Sequence, residues 1–173
     1  MTVASVRWTF RAVLGVAAGL LLAVPAWAEE SEPALLALGL GYYDIHQQDE
    51  TAADLRLEYR SDLALWIFRP WLGVEATSDG AIYGLGGFLA DIPLGPRLRL
   101  TPSLGAGAYY NGDGKDLGHA VQFRSQIELG YRFQDGQRLA LAFSHISNAS
   151  LSSQNPGTEI LTLYYMVPFD MLF

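Results

Sequence analysis

Three residues in the C-terminal third could do chemistry together: His145, Ser147 two positions on, and Glu159 fourteen positions after the histidine. In an extended chain, residues i and i+2 project to one face with their backbones about 6.6–6.8 Å apart. From there a hydroxyl can meet an imidazole nitrogen, which is how a general base activates a serine nucleophile. A carboxylate on the other ring nitrogen would set the tautomer and stabilise the imidazolium. A His-x-Ser pair is common by chance, and Glu159 also reads as a loop-edge carboxylate in water. Whether the three groups meet depends on the elements that carry them.

Those elements read as β-strands. Leu139, Leu141, Phe143, His145 and Ser147 share one parity, against Ala140, Ala142 and Ser144. Glu159 opens a further segment in the parity of Leu161, Leu163 and Tyr165, and the polar connector 148–158 (NASLSSQNPGT) returns the chain between them. The same alternation runs through 53–60, where Ala53, Leu55, Leu57 and Tyr59 oppose Asp54, Arg56, Glu58 and Arg60. In 121–133, Val121, Phe123, Ile127, Leu129, Tyr131 and Phe133 share a face interrupted only by Ser125, opposite Gln122, Arg124, Gln126, Glu128 and Arg132. Leu36, Leu38, Leu40 and Tyr42 mark a first strand, Trp66, Phe68, Leu72 and Val74 a third, and Leu98, Leu100, Leu104, Ala106 and Tyr110 a fifth; 80–91 is Gly-rich and ambiguous in face. Eight strands are expected, over 34–44, 52–60, 65–76, 81–91, 97–110, 119–134, 137–147 and 159–168.

Faces this apolar, opposite faces this charged, fit an all-β, eight-stranded antiparallel transmembrane barrel of the outer membrane, with lipid outside and a polar interior. After Ala28 no apolar run approaches 18 residues, so the other way across a bilayer is a closed barrel that satisfies every backbone group. Asp135-Gly136 reads as a tight turn and Pro93-Leu94-Gly95-Pro96 as a short link, whereas 111–118 and 148–158 are longer and polar. Eight strands leave an interior filled by side chains, so the inward Arg and Glu residues read as an ionic filling. The alternative is a soluble lipocalin-like barrel whose apolar faces turn inward.

Arg7 and Arg11, the apolar run Ala12 to Val24 and Ala26-Trp27-Ala28 read as a signal peptide over 1–28, cleaved after Ala28, with 29–173 as one domain. Nine basic and eighteen acidic residues follow that point, an excess of acid that argues against nucleic acid as a partner. There is no cysteine, hence no disulfide framework. The pattern of metal-ligating residues suggests no metal and no cofactor. Counting back from Phe173, Met171, Phe169, Val167, Tyr165, Leu163 and Leu161 alternate, resembling the signal that barrel-assembly machinery reads. His46, Asp79 and His119 read as solvated loop residues.

The apolar parity puts His145, Ser147 and Glu159 on the lipid-facing surface. If the last strand descends from the cell surface, they lie near the outer leaflet, where lipopolysaccharide is the abundant lipid. The segment Ala142-Phe143-Ser144-His145-Ile146-Ser147-Asn148-Ala149, with Glu159, Tyr164-Tyr165 and Pro168, resembles the lipid A 3-O-deacylase family, the PagL-type acyloxyacyl hydrolases. The resemblance implies an eight-stranded barrel in which Ser147 is the nucleophile, His145 the general base and then acid, and Glu159 its orienter. It also implies an oxyanion hole from the backbone N–H of Ser150 and the side chain of Asn155, with Asn148 a further candidate. Family members often carry Gly where Ser150 stands. The implied substrate is lipid A in lipopolysaccharide, hydrolysed at the 3-position to release a 3-hydroxy fatty acid. A general outer-membrane phospholipase or lipid esterase with the same triad, and a non-enzymatic structural barrel, stay open as alternatives, as does a homodimer.

Overall fold

The structure, a computed structural model, describes residues 32–172. The expected signal peptide and the terminal Phe173 lie outside the described residues. The strands are β1 (Leu35–Tyr43), β2 (Ala52–Arg60), β3 (Arg69–Thr77), β4 (Ile82–Leu89), a two-residue β5 (Ile92–Pro93), β6 (Leu98–Tyr110), β7 (Val121–Arg132), β8 (Arg138–Ser147) and β9 (Thr158–Pro168). Every pairing is antiparallel, and β1–β9 and β4–β6 contacts close the eight long strands into a barrel. Closure removes the free edges that lipid could not hydrogen-bond.

The barrel is inverted relative to a soluble protein. Arg56 is 0% exposed, while Leu104 on the outer surface is 68% exposed and Leu40, Leu55, Leu129 and Leu141 are similarly open. Inside, the charges are paired. Arg56 reaches Asp54 at 2.6 Å and Glu75 at 3.1 Å, Arg60 reaches Glu128 at 2.8 Å and Glu58 at 3.0 Å, and Arg124 joins Glu58 to Glu75. The Tyr164 hydroxyl donates to Glu58 at 2.9 Å. Buried ions repay their desolvation only with such close partners and further hydrogen bonds. At one end Arg138 links Glu32 (2.6 Å) and Asp91 (3.0 Å). A lipocalin-like barrel would turn its continuous apolar faces inward; here those faces turn out, and the interior mixes the ion pairs with smaller apolar clusters such as Leu35, Tyr164 and Met166.

Edge-to-face aromatic pairs, Tyr59–Phe169, Trp66–Phe68 and Tyr131–Phe133, gather at the end where β2 joins β3, β7 joins β8 and β9 finishes. Rings of this kind mark a membrane–water interface.

Three strands begin or end two or more residues from their expected bounds, β7 falling short of 119–134 at both ends. Residues 65–68 do not extend β3: Leu65 and Phe68 exchange backbone hydrogen bonds across a turn with Trp66 at φ 64°. Trp66 therefore stands on that turn rather than in line with Leu72 and Val74. The fourth segment stops at Leu89, and β5 takes up the pairing with β6 after a two-residue gap. Its glycine partners across the sheet have a packing reason, since a Cβ on Gly105 would stand 2.6 Å from the Trp71 ring inside the barrel. The C-terminal alternation holds through Val167, after which Phe169–Met171 turns into a 3₁₀ helix.

Candidate active site

β8 and β9 run antiparallel in a register that sets His145 directly opposite Glu159 and Ile146 opposite Thr158. Both side chains point outward, because their neighbours Ser144, Ile146, Thr158 and Ile160 are buried inside. His145 Nδ1 and Glu159 Oε1 lie 3.0 Å apart, with side chains 44% and 21% exposed. Ser147 shares this face two residues along β8. Its hydroxyl has no hydrogen-bond partner among the described residues. Hydrogen bonds of this kind are often long or absent without substrate and tighten when it binds.

The loop after β8 bends sharply. Ala149 and Ser150 are both left-handed (φ 51° and 65°), and Leu151 N–H donates to the Asn148 carbonyl at 3.0 Å. Asn155 Oδ1 accepts the Asn148 N–H at 3.0 Å, which leaves Nδ2 of Asn155 to point elsewhere. Asn148 itself is buried. Its amide donates to Leu117 O at 2.9 Å and Gln154 O at 2.7 Å, so it braces the loop and has no N–H left for an oxyanion.

Three loops are stitched together behind this site. Lys115 Nζ donates to Asp44 Oδ1 at 2.7 Å and Gln47 Oε1 at 2.6 Å, and Gln47 Nε2 donates to Pro156 O at 3.2 Å. Ile45 N–H donates to the Glu159 carbonyl at 3.0 Å, and Thr158 Oγ1 lies 3.3 Å from Asp44 Oδ1. Burial pushes the Asp44 carboxyl up, but the Lys115 ammonium and the Glu50 and Asp49 N–H groups outweigh it and hold it below its usual range. His46 and His119 are exposed and make no hydrogen bond to His145, Ser147 or Glu159, His119 Nδ1 accepting the Val121 N–H.

Gly157 escaped the sequence reading. Continuing the β8–β9 register puts it opposite Ser147, at φ +65°, and a Cβ there would stand 3.0 Å from His145 Cε1 and 3.7 Å from Nε2. The Cε1–Nε2 edge of the imidazole thus has room only because position 157 lacks a side chain.

Apolar outside and ionic within, the molecule is a transmembrane β-barrel protein. A family model described as lipid A 3-O-deacylase (PagL) matches residues 55–168, and the chain belongs to that family, an outer-membrane one. It is 34% identical over 77 residues to the lipid A deacylase PagL of Bordetella bronchiseptica, 43% of each chain. With the lipid A deacylase PagL of Pseudomonas aeruginosa it shares 35% over 54 residues, 31% of each. The aligned stretches thus span less than half the length of either relative. In fold it is similar to the crystal structure of the outer membrane enzyme PagL, with a TM-score of 0.58 at 22% identity over 79% of this chain and 100% of that one. A designed transmembrane β-barrel matches at a TM-score of 0.53 and 13% identity, over 80% of this chain and 98% of that one.

Proposed function

We propose that this protein is a serine esterase that hydrolyses the 3-position acyl ester of lipid A, using Ser147, His145 and Glu159. The observation that carries the reading is the 3.0 Å contact of His145 Nδ1 with Glu159 Oε1 on the outward face, beside a serine of the same parity. His145 Nε2 takes the proton of Ser147 as Oγ adds to the ester carbonyl carbon. Glu159 accepts the Nδ1–H, keeps the ring in that tautomer and offsets the charge of the imidazolium. The backbone N–H of Ser150 and Nδ2 of Asn155 are the donors assigned to the tetrahedral oxyanion, where preorganised hydrogen bonds act most strongly. Collapse expels the sugar oxygen, which receives the proton from His145 and leaves Ser147 acylated. Water, deprotonated by His145, then releases the 3-hydroxy fatty acid and restores the serine.

The two longest connectors, 111–120 and 148–157, lie at the end nearest the site, and the longer loops are the extracellular ones in such barrels. That orientation puts the triad beside the outer leaflet and its lipopolysaccharide. Recognition of the C-terminal alternation ending in Phe173 by barrel-assembly machinery belongs to the same proposal.

The test is mass spectrometry of lipid A from Gram-negative cells expressing the wild type, Ser147→Ala or His145→Ala. Loss of one hydroxyacyl group is expected with the wild type and with neither variant. Unchanged lipid A from cells with folded wild-type barrel overturns the reading, and a rise in lysophospholipid instead would favour a general phospholipase.

A further inference from the structure

Tyrosines apart, the outward face of the eight long strands carries four polar side chains among the described residues: Ser125, His145, Ser147 and Glu159. The register brings all four together. Ser125 on β7 is the direct partner of His145, as Glu159 is on the other side, so the three form one row across β7, β8 and β9. Ser147 stands one row nearer the loop rim, opposite Phe123. Three of the four have a place in the triad. Ser125 does not.

Nothing in the barrel accounts for it. Ser125 is exposed, its partner on β6 is Leu104, and its own face continues with Phe123 and Ile127. Its hydroxyl makes no hydrogen bond to a described residue. A bare hydroxyl facing hydrocarbon carries a desolvation cost that an aliphatic side chain would avoid. Cross-strand partners have their Cβ atoms about 4.5–5.5 Å apart, so the hydroxyl flanks the imidazole on the side away from Glu159. It also lies further from the rim than Ser147. An acyl chain whose ester carbonyl sits at Ser147 and whose tail runs down into the bilayer therefore passes Ser125 within its first few carbons.

Building on the deacylase reading, we infer that Ser125 is a specificity residue that hydrogen-bonds the hydroxyl on the carbon β to the ester carbonyl of the departing acyl chain. The contact satisfies two hydroxyls that would otherwise face hydrocarbon unpaired. It favours esters of 3-hydroxy fatty acids over the same esters without the hydroxyl, and its loss leaves the triad in place.

The experiment compares two synthetic glucosamine 3-esters in detergent micelles, one with a 3-hydroxyacyl chain and one with the same chain unhydroxylated. Purified, folded wild type, Ser125→Ala and Ser125→Thr are assayed on both, and labelling of Ser147 by a fluorophosphonate checks the integrity of each active site. Loss of one hydrogen bond predicts that Ser125→Ala lowers the ratio of the two kcat/KM values about tenfold. Ser125→Thr, which keeps the hydroxyl, retains most of the preference. A ratio unmoved by Ser125→Ala overturns the assignment, whether or not overall activity falls. A wild type that labels at Ser147 but cleaves neither ester sinks the deacylase reading itself, a result distinct from failure of the Ser125 role.

Discussion

Replacing Gly157 by alanine tests whether the geometry behind His145 matters to the chemistry. Two costs are separable. The first is conformational: at φ +65° an L-residue with a Cβ loses about 1–2 kcal/mol relative to glycine. The second is steric. The new methyl would stand 3.0 Å from His145 Cε1 and 3.3 Å from the Ile146 carbonyl, closer than such contacts normally come. The backbone carbonyl is held in the sheet, so the ring must give by a few tenths of an ångström. Because Glu159 holds Nδ1, the displacement swings Nε2 relative to Ser147. A misplacement near 1 Å can cost on the order of 10²-fold in rate, so a shift of a few tenths should cost roughly tenfold. Gly136 is the control. It sits at φ +85° in the β7–β8 turn, where an added Cβ meets only Pro168 Cγ at 3.2 Å. Alanine there should lose similar stability and keep its activity. The assay is initial deacylation rate on purified barrels, with urea-unfolding midpoints measured alongside. Full activity in Gly157→Ala, or an equal loss in Gly136→Ala, would refute the reasoning.

Glu159→Gln removes the charge that orients His145, and should lower kcat by roughly 10³-fold while the barrel still shows its folded mobility on unheated gels. Arg60→Met leaves Glu58 and Glu128 buried without their shared cation and should cost about 3–5 kcal/mol, read from the urea midpoint. Asp91, between β4 and β5, is pushed up by burial but pulled down to about 2 by the guanidinium groups of Arg138 and Arg69. Because an unfolded aspartate titrates near pH ~3.9, this depressed value contributes stability that is present above roughly pH 4 and lost as pH falls through about 2. Asp91→Asn should therefore flatten the fall in unfolding midpoint across that window; an unchanged slope would count against the ion pairs at this end of the barrel.

Much of the site was legible because strand parity is local. That His145 and Ser147 share a face, and that Arg56 and Leu57 do not, follows from a period of two within one segment. Asn148 shows the same rule cutting the other way: in the parity of Ser144 and Ile146 it belongs inside, and it is there, although the family resemblance had made it a donor candidate. Ser125 stood out as the single interruption of an apolar face, yet nothing in its own segment connects it with His145. Trp66 misled, because a left-handed turn breaks the count of alternating positions before β3 begins.

The sequence by itself determined where the chain is extended and which side chains travel together, since both depend on backbone geometry repeating every second residue. Which of the two faces meets lipid, which residues stand opposite one another across neighbouring strands, and how little room the imidazole has beside Gly157 were decided only by closure of the barrel. Those are relations between residues far apart in the chain, and a one-residue slip in pairing would have rewritten all of them without changing a single local preference.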